Sequence, residues 1–304
     1  MKKDLISIKD LSVKEIQDIF TLTDQLKKNK SKFSKALAGK TLVLLFQKPS
    51  NRTRVSFEVG MYQLGGNAVY LSPGEINLGV RESIHDVAKT LSRYADAIVL
   101  RTFEHQNVLE MAKFAEAVVI NGLSDFSHPC QALADIYTIK EKLKTVKGKT
   151  LAYIGDGNNV CNSLLFACAK TGMNMNVASP EGFAPEAAVL SEAKKISAGS
   201  AEIKIFYDSV EAVKNSDVIY TDVWASMGQE AEAEERKKAF KDFQINAKLV
   251  SLAKKGALIM HCLPAHRGEE ISADVIDGKN SVVFDQAENR MHVQKAILIK
   301  LLKR

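Results

Sequence analysis

The chain has little cysteine and no cysteine pairing motif: Cys130, Cys161, Cys168 and Cys262 are its four cysteines, and none is part of a CxxC pair. That spacing argues against a disulfide scaffold and against a thiol-based metal knuckle. A secretory signal, with a basic start, an apolar run and a small-residue cleavage site, is also missing, so a reducing cytoplasm is the expected compartment. Purely apolar runs are only a few residues long, far short of the roughly 20 needed to cross a bilayer, which excludes a membrane span of that kind. Internal repeats and low-complexity tracts are absent too.

What is present is ordinary globular composition. The 304 residues exceed the length at which one core usually stops growing, and 46% are hydrophobic, so two domains are expected. The net charge of +6 suits an anionic ligand, but the lysines are spread along the chain, as in Lys27-Lys28-Asn29-Lys30. Such stretches read as solvated helix faces, and no nucleic-acid partner is expected.

Apolar runs alternate with helical patterns from end to end, the signature of βαβ units and parallel sheets, and the fold class is α/β with two doubly wound domains. The first half offers strands at Thr41–Phe46, Ala68–Leu71, Ala97–Leu100 and Ala117–Ile120. The second offers Thr150–Ile154, Met175–Ala178, Glu202–Phe206, Val218–Thr221, Ala257–Met260 and Val282–Phe284. A helix over Ala132–Leu143 followed by a polar stretch broken by Gly148 sets the boundary near residue 145. Ser12 and Glu15 form a capping box opening a helix to about Lys27, and Val293–Leu302 has the spacing of a closing helix.

In open α/β sheets, ligands collect beyond the carboxyl ends of strands, where helices begin. Ser50 is placed there as the cap of a helix, and Arg52 and Thr53 add donors, so the helix start is a cradle for an anion such as phosphate. Arg52 and Arg54 project about 200° apart on a helix. Arg52 is assigned to the ligand and Arg54 to a structural ion pair. Arg101 directly follows a strand, and His128 precedes Pro129, a residue suited to the first helical position. In the second half, Gly155 to Asn159, Asp222, and His261 to Pro264 each follow a strand.

Two rival readings are weak. Gly155-Asp156-Gly157 begins like a dinucleotide fingerprint, but Val160 stands at the third glycine position. His261, Cys262 and His266 contain zinc-ligating types, but adjacent ligands are poor geometry and no fourth ligand is apparent. No metal and no cofactor are expected.

Four segments in order, Ser50-Asn51-Arg52-Thr53-Arg54, His128-Pro129-Cys130-Gln131, Asp222 through Gly228, and His261-Cys262-Leu263-Pro264, resemble the motifs of ornithine carbamoyltransferases over nearly the whole chain. The resemblance implies two α/β domains with the active site in the cleft between them. Residues 1–145 would bind carbamoyl phosphate, with the C-terminal helix 288–304 packing back, and residues 146–287 would bind ornithine. It implies that Ser50, Asn51, Arg52 and Thr53 hold phosphate, and that Arg101, His128 and Gln131, beside Pro129 and Cys130, reach the carbamoyl group. Arg290 would reach back to the same ligand. Cys262 and Leu263 would also contact carbamoyl phosphate, as would Asn77, which stands where many relatives have a Gln or His reaching a neighbouring subunit.

On the acceptor side the resemblance places Asn159 and Met227 near the α-carboxylate and Asp222 with Ser226 near the α-ammonium, while Cys262 and Leu263 line the reacting end. The catalytic set it implies is Arg101, His128 and Cys262, with Cys262 either aiding deprotonation or shaping the pocket. The expected reaction is carbamoyl transfer from carbamoyl phosphate to the δ-amine of L-ornithine, in a cytoplasmic homotrimer or assembly of trimers. Acetylornithine or putrescine as acceptor, or a non-catalytic carbamoyl-phosphate-binding homologue, are the alternatives. The polar stretch after Gly228, as far as Phe243, is a candidate lid.

Overall fold

A computed structural model describes residues 3–225 and 230–303. The chain divides into two compact units, Met1–Tyr137 with Glu288–Arg304, and Thr138–Ala287. Both divisions fall inside helices, Pro129–Leu143 and Val283–Leu302. Each unit is built on a wholly parallel sheet.

The first unit holds β1 (Thr41–Phe46), β2 (Asn67–Leu71), β3 (Ala97–Arg101) and β4 (Val118–Leu123), in the order β2-β1-β3-β4. The inner strands β1 and β3 are buried almost throughout, as parallel strands covered on both faces must be, whereas edge strand β2 leaves Asn67 and Val69 exposed. The other edge is covered by the N-terminal segment, where Leu5 bonds to Val119 and Asn121 of β4 at 2.9 and 2.8 Å. From β1 the chain goes to one side for β2 and to the other for β3, so the sheet has its switch point between β1 and β3.

At that point Phe46 is in register with Arg101, and the Gln47 N–H donates to the Arg101 carbonyl at 2.7 Å. The register of β3 with β4 shifts at Leu100/Arg101, with Gly122 as the extra residue. A side chain at Gly122 would come within 2.9 Å of Val99, so the irregularity next to Arg101 needs glycine. The apolar core below it joins Val43, Leu45, Ile98 and Leu100 to Val87, Val108 and Met111 of the helices Ile84–Tyr94 and His105–Phe114.

The second unit holds β5 (Thr150–Ile154), β6 (Asn174–Ala178), β7 (Ile203–Phe206), β8 (Val218–Thr221) and β9 (Leu258–His261), ordered β7-β6-β5-β8-β9. Its switch point lies between β5 and β8. Its core packs Ile154, Ile219 and Ile259 against Trp224, Phe240 and Ile271. Gly157 is required where the β5 loop passes the backbone of Ala184 and Pro185, because a Cβ there would sit 2.2 Å from the Pro185 nitrogen. This close approach gives Gly157 a packing role.

The nine strands include nine of the ten runs read from the sequence. Val282–Phe284 is the exception. Val282 makes one bond to the Ile259 carbonyl, at 3.0 Å, and the chain then turns into the helix Val283–Leu302, of which Val293–Leu302 is only the second half. A three-residue apolar run fits a helix start as well as a strand. No helix among the described residues is long and apolar enough to cross a membrane.

Candidate active site

In the first unit the loop after β1 ends in Ser50, whose extended backbone and side chain cap the helix Asn51–Gln63 by accepting the Thr53 N–H at 3.2 Å. Thr53 is buried, and its hydroxyl accepts from Arg290 Nη2 at 2.9 Å. Arg290 is 4% exposed and comes from the C-terminal helix, so a residue 237 positions away completes the helix start. Arg54 turns away, as its helical position requires: it pairs with Glu58 at 3.0 Å and lies over the Tyr70 ring at 3.9 Å.

Arg101 is buried at the end of β3, and its Nε has no hydrogen-bond partner among the described residues. Burial first, and then repulsion from Arg290 and Arg52, push its pKa down to about 10. His128 is buried immediately before the helix Pro129–Leu143, and burial followed by the charges of Arg290, Arg101 and Arg52 holds it well below the usual imidazole range. Three guanidinium groups thus act on one neutral imidazole. A neutral imidazole donates one N–H hydrogen bond without delivering a proton, while the arginines favour an anion.

Cys130 and Gln131 follow on the same helix start. The Cys130 thiol is buried with the Asn121 carbonyl as its partner at 3.8 Å, and burial raises its pKa to about 12, so it is a packed thiol with no nucleophilic character near neutrality. Gln131 donates to Asp135 at 2.8 Å, and its carbonyl oxygen has no partner among the described residues. Asn77 is exposed and has a local task. At φ 49° it caps the short helix Pro73–Ile76, a left-handed position that asparagine tolerates.

In the second unit three strand ends converge. Asp222, after β8, is buried. Its Oδ1 accepts from the Val223 N–H at 2.8 Å and from the Cys262 thiol at 2.8 Å, and its Oδ2 accepts from Asn158 Nδ2 at 2.9 Å. Asn158 also caps the helix Asn159–Thr171, its side-chain oxygen accepting the N–H groups of Val160 and Cys161 at 2.9 and 3.1 Å. One asparagine therefore fixes both the start of the helix bearing Asn159 and the orientation of Asp222. Cys262 is half-buried, and Leu263 stands at φ +59°.

Sequence reasoning passed over Asn158, which reads as one more polar loop residue beside Asn159. It also passed over Arg236, 8% exposed on the helix Ala233–Phe240, which pairs with Asp156 at 3.0 Å and donates to the Trp224 carbonyl at 3.1 Å. Its anchoring of Trp224 gives the residues 222–225 a fixed path; the sequence signal was a lone arginine in a charged stretch. Ser226 and Met227 lie outside the described residues, as does part of the candidate lid.

Donor atoms of Asp222, His261 and Cys262 lie within 4.8 Å of one another, a spacing a metal could use. Both ring nitrogens of His261 are engaged with protein groups, Leu263 N–H on one side and Glu270 on the other, and the Cys262 thiol is on Asp222. A second group, His266, Glu269 and Glu270, includes Glu269 paired with Lys237 at 3.0 Å.

Comparison with known proteins adds to this geometry. Residues 3–141 match the carbamoyl-P binding domain of aspartate/ornithine carbamoyltransferase, and residues 147–301 match its Asp/Orn binding domain. The chain is 54% identical over 299 residues to the ornithine carbamoyltransferase of Thermococcus kodakarensis, covering 97% of this chain and 95% of that one. The same identity, length and coverage hold for the anabolic ornithine carbamoyltransferase of Pyrococcus furiosus. A solved ornithine carbamoyltransferase structure from Pyrococcus furiosus is similar at TM-score 0.96 and 53% identity, covering 99% of this chain and 97% of that one.

Proposed function

The chain belongs to the aspartate/ornithine carbamoyltransferase family, and we propose that its first unit holds carbamoyl phosphate and its second holds ornithine. The enzyme transfers the carbamoyl group from carbamoyl phosphate to the δ-amine of L-ornithine, giving L-citrulline and phosphate, a step of arginine biosynthesis. The observation that carries the division of substrates is the gathering of buried Arg101 and Arg290, the latter bonded to Thr53, with half-buried Arg52 around buried His128, because such a concentration of positive charge is stabilised by an anion.

In this reading Ser50, Asn51, Arg52 and Thr53 hold the phosphate at the helix start, where free N–H groups and the positive helix end favour it. Arg101, His128 and Gln131 take the carbamoyl group. The neutral δ-amine attacks the carbamoyl carbon, its lone pair forming the C–N bond. The tetrahedral intermediate then expels phosphate with the electron pair of the C–O bond, and the proton lost by the amine is taken up by the departing phosphate. Arg101, His128 and Thr53 donate to the oxygen that becomes negative, the preorganised arrangement that is usually the largest catalytic contribution. Arg290, bonded to Thr53, neutralises the leaving phosphate.

On the acceptor side Asp222 faces a cation, the α-ammonium, and Asn159 with Met227 takes the α-carboxylate. The Cys262 thiol, oriented by Asp222, lies at the reacting end with Leu263. Because a free alkylamine of the lysine type has a pKa near about 10.4, the reactive fraction of ornithine grows with pH, and the rate should rise toward alkaline pH. We further propose that the enzyme works in the cytoplasm as a homotrimer or an assembly of trimers.

The direct test is to measure ureido product and phosphate from carbamoyl phosphate offered separately with ornithine, acetylornithine, putrescine and aspartate. Strong turnover with ornithine alone supports both halves of the site. Turnover with another amine instead would leave the phosphate half and overturn the roles of Asp222, Ser226 and Met227.

A further inference from the structure

We propose that His261 and Glu270 are positioning residues: Glu270 fixes the tautomer of His261, and His261 fixes the turn that presents Cys262 and Leu263. The inference rests on the reading of those two residues as the lining of the reacting end.

Leu263 has φ +59°, a left-handed conformation that a leucine adopts only where its surroundings hold it. Its N–H donates to Nδ1 of His261 at 2.9 Å. A ring nitrogen that accepts a hydrogen bond carries no proton, so the imidazole is neutral with its proton on Nε2. Nε2 lies 3.0 Å from Oε1 of Glu270 and donates to it. The same oxygen accepts the His266 N–H at 2.6 Å. Both His261 and Glu270 are fully buried, so the arrangement is held away from water. Upstream, the His261 N–H donates to Gln286 at 3.1 Å, and Gln286 donates to the Tyr220 hydroxyl at 3.2 Å.

One carboxylate oxygen therefore ties together His261 and His266, on either side of the turn at Leu263. The imidazole between them transmits this fixation to the Leu263 amide. The Nδ1 lone pair is used by Leu263, so His261 is unavailable as a base for the adjacent Cys262, whose thiol proton points instead to Asp222 at 2.8 Å. His261 thus acts on the reaction only through the backbone it holds.

Two measurements on the full-length enzyme test this. With 15N-labelled histidine at neutral pH, and the His261 signals assigned by their loss in H261N, Nδ1 should be unprotonated and accepting and Nε2 protonated. A proton on Nδ1, or on both nitrogens, would overturn the proposal. In steady-state kinetics, H261N retains an acceptor where Nδ1 stood, whereas H261Q reaches Glu270 but offers Leu263 nothing. We expect kcat to fall about 10²-fold in H261Q and no more than roughly tenfold in H261N, with the KM for carbamoyl phosphate within about threefold in both. Equal losses in the two variants, or no loss in H261Q, would contradict it. If the wild type turned over no ornithine, the site reading would fail while the 15N result still decided the tautomer.

Discussion

In the first unit the chain leaves β1 and β3 into Ser50, Arg52 and Arg101, and a distant helix adds Arg290; in the second it leaves β5, β8 and β9 into Asn158, Asp222 and Cys262. Both sets sit at the carboxyl ends of strands flanking or next to a switch point in a parallel sheet. The backbone device is the same, and the electrostatics are opposite. In the first unit burial, and after it the repulsion among neighbouring guanidinium groups, depresses Arg101 and His128. In the second, a carboxylate is satisfied by a thiol, an amide and a backbone N–H before any ligand arrives. The sheet thus decides where a ligand sits, while the side chains decide which charge it carries.

The largest effect should come from the cationic set. R101M keeps much of the volume and removes the donor, and kcat/KM for citrulline formation should fall about 10³-fold, as for loss of an oxyanion donor. A loss under tenfold in steady-state kinetics would remove Arg101 from the chemistry. In the second unit, N158S keeps a residue able to cap the helix at Asn159 but gives up the bond to Asp222. The KM for ornithine should then rise by about tenfold while the thermal midpoint stays within a few degrees, since serine and asparagine cap about equally well. A rise in the carbamoyl phosphate KM instead would break the contrast between the units.

A smaller effect concerns pH. Burial depresses His105, His128 and His292, all in the first unit. Below the unfolded-state histidine pKa of about 6.5 the unfolded chain binds protons that these folded side chains refuse, so stability is complete above that pH and falls as pH drops through it. Urea unfolding at pH 7.5 and 5.5 should show the loss, and H128Q should lessen it; an H128Q enzyme with the wild-type difference would count against a neutral buried His128. The smallest effect belongs to Cys130. With its pKa near 12, C130A should leave the shape of the pH–rate profile unchanged and alter kcat/KM by less than about threefold. A shifted profile would show chemistry in a thiol assigned here to packing.

Much of this was legible in the sequence because it depends on local pattern. Ser50 reads as a cap and is one, and Arg54, two positions from Arg52, was expected to turn aside into an ion pair and does so with Glu58. Strand order was not legible, since hydrophobic period fixes what a strand is and not which neighbour it takes, and Val282–Phe284 was misread because three apolar residues carry no period. Asn158 and Glu270 were hidden for another reason. Their importance lies in hydrogen bonds to residues 64 and 9 positions away, and neither residue type at those positions signals its partner.

The most direct test of the division between the units is calorimetric titration of the full-length protein with carbamoyl phosphate alone, comparing wild type, R101M and D222N. D222N should bind carbamoyl phosphate with a Kd within about threefold of wild type while R101M weakens it by about 10²-fold, the loss expected for one partner of a buried charge pair. Equal weakening in the two variants, or a greater loss in D222N, would contradict the assignment of carbamoyl phosphate to the first unit.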